Sequence, residues 1–252
     1  MKKILILAVA ASTFIFACDK DKNKNKDKEY KSAETTLHNG KVWTSAKVDK
    51  NGKPVSVSII VNDAAMNSVP LGQPSDHMSP ANNLLIPIAA ESGTPFKFAM
   101  VNWNSSGHEP DQVYTLPHFD FHFYTSTQAE VMNYMDETKL NAEPNAAYIP
   151  ANHISGPGVP MMGKHYIDAT SPELQGQTFT QTFLFGSYDS KVVFWEPMIT
   201  QAFLKNTTQF ERALPQPSKF QQAGYYPTKM KISRKDGVTE ISLTDFVNRQ
   251  AS

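Results

Sequence analysis

The stretch Leu116–Tyr124, LPHFDFHFY, alternates polar and aromatic side chains after its proline. Three phenylalanines occupy one parity, and His118, Asp120 and His122 occupy the other. Because successive side chains of a β-strand leave opposite faces, this period of two predicts a strand. The three aromatic rings would anchor the strand in a core, while the other face presents imidazole, carboxylate and imidazole in a row. Such a row is a ligand set for a divalent metal, or an acid/base array.

The same row also fits a solvated or structural polar face of an ordinary sheet. A functional site is favoured because the chain has 7 His in 252 residues, and two of them flank one Asp here. Residues two apart on a strand are separated by about 6.6–6.8 Å, and residues four apart by about 13 Å. One ion could therefore be shared by His118 and Asp120, or by Asp120 and His122. All three on one ion would need a bulge or a strong bend, and Asp120 could instead bridge two ions.

The remaining ligands must come from other parts of the chain. His108 and Glu109 lie in a loop rich in Ser and Gly that runs into the predicted strand, so both are candidate metal ligands. Glu196 stands between Trp195 and Pro197. Since a carboxylate among apolar neighbours is paired or ligated, Glu196 is a candidate ligand or catalytic general base.

His165 is the strongest outside partner for the strand. It follows the stretch 145–163, in which Pro and Gly recur at short intervals. Long loops of this kind are often functional. Asp168 is near enough in sequence to orient the imidazole of His165 as a hydrogen-bond acceptor.

The N-terminus has the pattern of an exported lipoprotein. Residues 1–17 combine a Met-Lys-Lys start with an apolar run that is too short to cross a membrane and typical of a signal-peptide core. The small residue Ala17 before Cys18 resembles a bacterial lipobox, in which the Cys becomes the acylated N-terminus and carries fatty acids such as palmitate. The alternative is an ordinary secretory signal with an incidental Cys.

Three domain segments follow: the signal peptide 1–17, a lipidated Cys18 with a disordered charged tether to residue 34, and one β-rich domain over 35–252. The tether is predicted because Lys, Asp and Asn dominate residues 19–31. We therefore expect a domain outside the cytoplasm, lipid-anchored to a membrane of the bacterial cell envelope. Cys18 is the only Cys, which excludes disulfides and thiolate ligands from the mature fold. A formal net charge of zero gives no electrostatic case for nucleic acid.

Turn signals and alternation predict a mostly β fold. Hairpins are expected around Asn51-Gly52, residues 186–190 and Asp236-Gly237. Short helices are expected at Gln128–Thr138, Met198–Lys205 and Leu243–Arg249. Three hairpins, a few single strands and only short helices indicate an antiparallel β-sandwich or flattened barrel.

Four segments resemble an uncharacterised family of exported bacterial proteins, catalogued as a domain of unknown function. The segments contain WNSSGHEP, PHFDFHFY, MGKHYID, and FGSYD leading to FWEPM. The similarity covers about residues 40–205. It implies export and a compact β-rich domain, and it implies no settled reaction.

Three functional hypotheses follow from these residues. The first is an envelope protein whose His/Asp site binds a metal ion or small ligand, with a binding or envelope-stress role. A His/carboxylate set without thiolate suits Zn, Mn, Fe or Cu. The second is a metal-dependent hydrolase or lyase, in which an open coordination position activates water and Glu196, Glu109 or Asp168 acts as general base. The third is a non-catalytic surface scaffold without metal, in which the polar row is merely solvated or hydrogen-bonded. The sequence does not determine the oligomeric state.

Overall fold

The computed structural model describes residues 26–72 and 79–252. The signal segment, Cys18 and the first part of the tether lie outside the described residues. The described chain forms two large sheets, one two-stranded sheet and four short α-helices. The strands are β1 Lys28–Lys31, β2 Thr35–Leu37, β3 Gly40–Val48, β4 Pro54–Asn62, β5 Asn83–Pro87, β6 Phe98–Asn104, β7 His118–Tyr124, β8 His153–Val159, β9 Gly163–Asp168, β10 Gln181–Tyr188, β11 Lys191–Thr200, β12 Gln209–Ala213, β13 Gly224–Tyr226, β14 Lys229–Lys235, β15 Val238–Thr244 and β16 Val247–Arg249. The helices are α1 Asp63–Ser68, α2 Gln128–Val131, α3 Glu137–Asn141 and α4 Gln201–Asn206.

The two large sheets are antiparallel and open. The first sheet has the order β1-β3-β4-β15-β14-β12, with β2 also paired to β3. The second sheet has the order β5-β6-β7-β11-β10-β9-β8. Neither sheet closes on itself in the described chain, so the prediction of a sandwich is confirmed and that of a barrel is not.

One large apolar cluster joins the inner faces of the two sheets. The three phenylalanines of β7 are fully buried in it, together with residues of the first sheet such as Ile59 and Ile241. The hydrophobic alternation of β7 therefore does what its period predicts: one parity enters the sandwich core.

The outer face of the second sheet is covered as well. Two smaller apolar clusters lie on it, one around Tyr124, Tyr134 and Phe194, the other around Tyr114 and Phe179. As a result, all seven residues of β7 are buried, including its His and Asp side chains. The interpretation of this row as an openly solvated polar face is wrong, because the covering segments bury its side chains.

Several predicted boundaries change where a tertiary partner is available. The predicted helix at Leu243–Arg249 is wrong, since Val247–Arg249 is a strand paired with Gly224–Tyr226. The stretch 145–163 is not one loop, because β8 pairs with β9 around a bulge between Ser155 and Gly158. A bulged edge strand tolerates Pro and Gly that a central strand would not.

Other differences concern helices and the tether. The helix expected over Gln128–Thr138 is two short helices, α2 and α3. The helix expected from Met198 begins at Gln201, because β11 runs on to Thr200 beside β7. The predicted tether enters the fold at Lys28–Lys31, which pairs with the edge of β3. The charged residues of this strand suit a sheet edge. No helix among the described residues is long and apolar enough to cross a membrane.

Candidate metal centre

The centre is built on β7, which lies in the middle of the second sheet between β6 and β11. The β6 register places Asn104 opposite His118, Asn102 opposite Asp120 and Met100 opposite His122. On the other side, β11 pairs Met198 with Asp120 and Thr200 with His118. The polar parity of β7 therefore faces outward beneath the covering segments, and His118 has polar neighbours on both sides, Asn104 and Thr200.

A first cluster consists of His108, His118 and Asp120. Their ligand atoms lie within 4.8 Å of one another. The Nε2 atom of His118 is 3.2 Å from Oδ1 of Asp120, and Nε2 of His108 is 3.6 Å from Oδ2. His118 and Asp120 come from the strand, whereas His108 comes from the loop before it. The loop folds back so that the backbone N–H of His108 donates to the Tyr114 carbonyl at 2.9 Å.

The backbone fixes the orientation of both imidazoles in the first cluster. Nδ1 of His118 lies 2.7 Å from the carbonyl of Leu116, and Nδ1 of His108 lies 2.6 Å from the carbonyl of Glu109. A carbonyl oxygen only accepts, so each Nδ1 carries the hydrogen. In the neutral rings, both Nε2 atoms then present lone pairs toward the Asp120 carboxylate. That arrangement requires either extra protons or a cation between them.

Burial and charge perturb the ionisation of this cluster in opposite directions. Burial alone would raise the pKa of Asp120, but the imidazoles of His118 and His108 hold that pKa well below its usual range. Burial alone would lower the pKa of His108, but the interaction with Asp120 raises it. The Asn104 amide also donates to Oδ2 of Asp120 at 2.7 Å. Asp120 is thus held as a carboxylate facing two imidazoles.

A second cluster consists of His122, His165 and Glu196, contributed by β7, β9 and β11. Their ligand atoms also lie within 4.8 Å of one another. Oε1 of Glu196 is 3.4 Å from Nε2 of His122, and Oε2 is 3.6 Å from Nε2 of His165. The Phe194 ring contacts both imidazoles edge-on, with ring centroids 5.0 Å apart in each case.

In the second cluster, the pKa values of Glu196 and His165 are both shifted toward the uncharged form of the side chain. Burial, with a smaller effect from the charge of Asp120, raises the pKa of Glu196 well above its ordinary value. Burial, followed by the neighbouring His122, lowers the pKa of His165 to about 3. Both shifts have the same cause, which is the cost of placing a charge away from water.

Solvent reaches each cluster from one side. The side chains of His108 and His165 are 25% and 16% exposed, whereas His118, His122 and Glu196 are at most 2% exposed. Each cluster therefore has two deeply buried ligands and one imidazole at its outer rim.

Most of the predicted site residues come together, but in two groups. His118 and Asp120 share the first cluster with the loop residue His108. His122 points to the other cluster with His165 and Glu196. His122 is in a different cluster from Asp120 because residues two apart on a strand are separated by about 6.6–6.8 Å. Asp120 uses one oxygen toward His118 and the other toward His108 and Asn104, so it does not bridge the clusters.

Two sequence-based expectations are corrected. Glu109 is exposed and contributes only its backbone carbonyl, as the acceptor for His108. Asp168 does not orient His165, because Oδ1 of Asp168 accepts from Thr170 instead. Residues three apart on a strand leave opposite faces, which separates His165 from Asp168. Asn104, the donor to Asp120, is not predicted from the sequence, because its position opposite His118 depends on strand pairing that no local pattern reveals.

The fold and the site define a class of protein: an antiparallel β-sandwich with two buried groups of two His and one carboxylate, each able to hold a metal ion. The family described as "TTHB210-like: Hypothetical protein TTHB210" matches residues 49–103. The match supports likeness to an uncharacterised family, and it covers β4 through most of β6. No protein of curated function and no solved structure matches the chain.

Proposed function

We propose that this protein binds a divalent transition-metal ion through His108, His118 and Asp120. The observation that carries the proposal is the orientation of the two imidazoles. Each donates its Nδ1 hydrogen to a backbone carbonyl and directs Nε2 at the same carboxylate. Metal-ligating histidines are held in this way, because a fixed Nδ1–H sets the tautomer and makes Nε2 available.

The donor set suggests which ions suit the site. Two imidazole nitrogens and one carboxylate oxygen, with no thiolate, fit Zn, Mn, Fe or Cu. Three protein ligands leave at least one coordination position for solvent or for a small ligand. The deep burial of His118 and Asp120 favours retention of the ion over turnover of a large substrate.

The function is tested by elemental analysis of the protein purified without a His-tag or chelator and dialysed against metal-free buffer. We expect bound metal in the wild type and one equivalent less in His118→Ala. His153→Ala is the matched control, because Nδ1 of His153 also meets a backbone carbonyl, at 3.1 Å from Ala151, but His153 belongs to neither group of potential metal ligands among the described residues. Wild-type stoichiometry in His118→Ala would overturn the proposal, because the metal would then be bound elsewhere. No metal in the wild type would favour the non-catalytic scaffold.

A metal-dependent hydrolase or lyase is the second candidate function. The three-ligand count favours it, because an open position can activate bound water. Glu196, the candidate general base, belongs to the second cluster. Metal-dependent cleavage of small ester or phosphoester substrates that is absent from His118→Ala would establish this candidate. Inactivity of the metal-loaded protein against such substrates would leave metal binding as the function.

We also propose that the protein acts in the bacterial envelope, tethered to a membrane through acylated Cys18, with a metal-binding or envelope-stress role. The support is the sequence of residues 1–18: a basic start, a short apolar run and a lone Cys. We expect Cys18→Ser to move the protein from the membrane fraction to the soluble fraction of the cells. Retention of the variant in the membrane would contradict lipid anchoring.

A further inference from the structure

Glu196 is a buried carboxylate whose contacts are of an unusual kind. Glu196 as a whole residue is 1% exposed. Its two close contacts with basic side chains are both to imidazoles, and no Lys or Arg of the described residues forms an ion pair with it. Its Oε2 atom lacks a hydrogen-bond partner among the described residues. Because an isolated buried carboxylate is costly, a group at this position needs a proton or a bound cation.

The surroundings hold these imidazoles in one arrangement. Tyr124 stacks on His122 at 5.6 Å between ring centroids, and the edge of Phe194 contacts His122 and His165. Phe194 can lie there because its neighbour across the strand pair is Gly186, where a Cβ atom would come within 1.8 Å of the ring. Three strands thus contribute to one preformed donor set.

Further polar atoms lie on the same face of the sheet. Both side-chain atoms of Asn102, fully buried opposite Asp120, have no hydrogen-bond partner among the described residues. The same holds for the Thr182 hydroxyl, which belongs to the residue paired with Met198. Buried polar groups are almost always hydrogen-bonded to protein or to ordered water. We therefore expect ordered water beside Asn102 and Thr182.

We propose that His122, His165 and Glu196 form a second metal site, so that the chain carries a two-ion centre. The second site has the same donors as the first, namely two imidazoles and one carboxylate, and it takes the same class of ion. It deepens the proposed function and rests on it only for the claim that both sites are filled. The two sets share no ligand, so each can be removed separately.

The spacing of the clusters determines what kind of two-ion centre this is. Adjacent outward positions on β7 are about 6.6–6.8 Å apart. Two-metal sites that share a bridging ligand hold their ions about 3.5–4 Å apart. Asp120 is committed to the first cluster through both oxygens. The two proposed sites are therefore neighbours without a carboxylate bridge.

The experiment is a Co²⁺ titration of the full-length chain, purified in detergent and stripped of metal. Visible absorption follows coordination, and elemental analysis after dialysis gives the stoichiometry. We expect two equivalents in the wild type, one in Glu196→Gln, one in Asp120→Asn and none in the double variant. His153→Ala should retain two equivalents.

The other outcomes separate the two proposals. One equivalent in the wild type that persists in Glu196→Gln and is lost in Asp120→Asn overturns the second site and leaves the first. One equivalent with the reverse pattern overturns the first site and leaves the second. No binding in the wild type overturns both. If circular dichroism shows that Glu196→Gln is unfolded, His165→Ala replaces it, since His165 lies at the outer rim. Two equivalents in folded His165→Ala would overturn the second site.

Discussion

At the scale of single residues, the first cluster shows how a side chain is assigned to a ligand role by its neighbours. His118 donates from Nδ1 to Leu116, two residues before it, which is a local contact of the strand entrance. Asp120 depends on a distant residue, because its Oδ2 accepts from Asn104 on the neighbouring strand. The Asn104 amide restricts the rotation of the carboxylate and leaves its remaining lone pairs directed at the imidazoles.

Replacing Asn104 should weaken the first site without removing a ligand. We expect Asn104→Ala to lower the affinity for the first ion by about 10- to 100-fold, as is typical when a hydrogen bond to a metal ligand is lost. Competition with a chelator of known affinity measures this change. Asn248→Ala, an exposed residue of a peripheral strand, is the control. Equal affinities in the two variants would show that Asn104 does not position Asp120.

His153 gives a prediction for the pH dependence of stability. Burial lowers the pKa of His153 below the ordinary value of 6.5. Below pH 6.5 the unfolded chain therefore binds a proton that the folded chain does not, and stability falls as the pH falls through this range. The contribution of one proton is at most about 1.4 kcal/mol per pH unit.

This contribution is measured by comparing urea unfolding of the wild type and His153→Gln between pH 7.5 and 5, both with metal removed. The wild type should lose stability faster than the variant as the pH decreases. Parallel stability curves would show that His153 has the same proton affinity in the folded and unfolded chains.

At the scale of elements, two glycines allow the loop and the strands to place their ligands. Gly107, just before His108, has φ +72°, and a Cβ atom there would come within 2.1 Å of the Tyr114 carbonyl. Gly186 on β10 has no unusual φ, but a Cβ atom would enter the Phe194 ring. Gly107 affects the first cluster, because it allows the loop of His108 to take its position. Gly186 affects the second cluster, because it leaves room for the Phe194 ring beside His122 and His165.

Gly107→Ala should affect the first cluster alone. The close approach to Tyr114 forces the loop to move, and His108 moves with it. We expect loss of tight binding at the first site and retention of one equivalent at the second. Gly176→Ala is the control, because Gly176 has φ +81° with open space around it, so it carries the backbone strain without the clash. Identical titrations of the two variants would refute the role of the loop.

Gly186→Ala should affect the second cluster and the stability of the sheet. Displacing Phe194 overpacks the outer face, which typically costs about 1–3 kcal/mol, and removes the ring that holds His122 and His165. Gly156→Ala on β8 is the control, since its Cβ atom would meet only the His165 carbonyl at an ordinary 3.6 Å. Thermal unfolding and Co²⁺ stoichiometry measure the two effects. Binding of a second equivalent of Co²⁺ by Gly186→Ala with wild-type affinity would contradict this role of the Phe194 ring.

At the scale of the whole molecule, the second sheet is packed on both faces. Its inner face joins the large core, and its outer face is covered by segments that include α2, α3 and the loop of His108. Ligands of the two clusters come from three strands and one loop, positions that unfolding would scatter. Metal binding should therefore stabilise the folded state as a whole.

An ion present at 100 times its dissociation constant adds about 2.7 kcal/mol to the free energy of unfolding per site. For a domain of this size, that corresponds to a rise in Tm of about 5–11 °C. Differential scanning calorimetry with and without Zn²⁺ or Mn²⁺ measures the shift. The Asp120→Asn/Glu196→Gln double variant should show no shift, and an equal rise in the double variant would place the ion elsewhere.

Much of the fold could be predicted because its signals are local. The alternation of β7 identified its buried aromatic face, and the turns at Asn51-Gly52 and Asp236-Gly237 identified two hairpins that the structure contains. The errors occurred where pairing with a distant strand decided the conformation. Val247–Arg249 forms a strand because Gly224–Tyr226 offers it hydrogen bonds, and no local feature of the sequence indicates that partner.

The candidate site divides in the same way. The sequence by itself determined that His118, Asp120 and His122 share a face, because side-chain alternation is a property of the extended backbone. Only the tertiary structure decided that this face is buried, that His108 completes one cluster, and that His165 and Glu196 draw His122 into another. The physical reason is that strand order and register are set by the packing of the whole core, so contacts between strands depend on residues far apart in the chain.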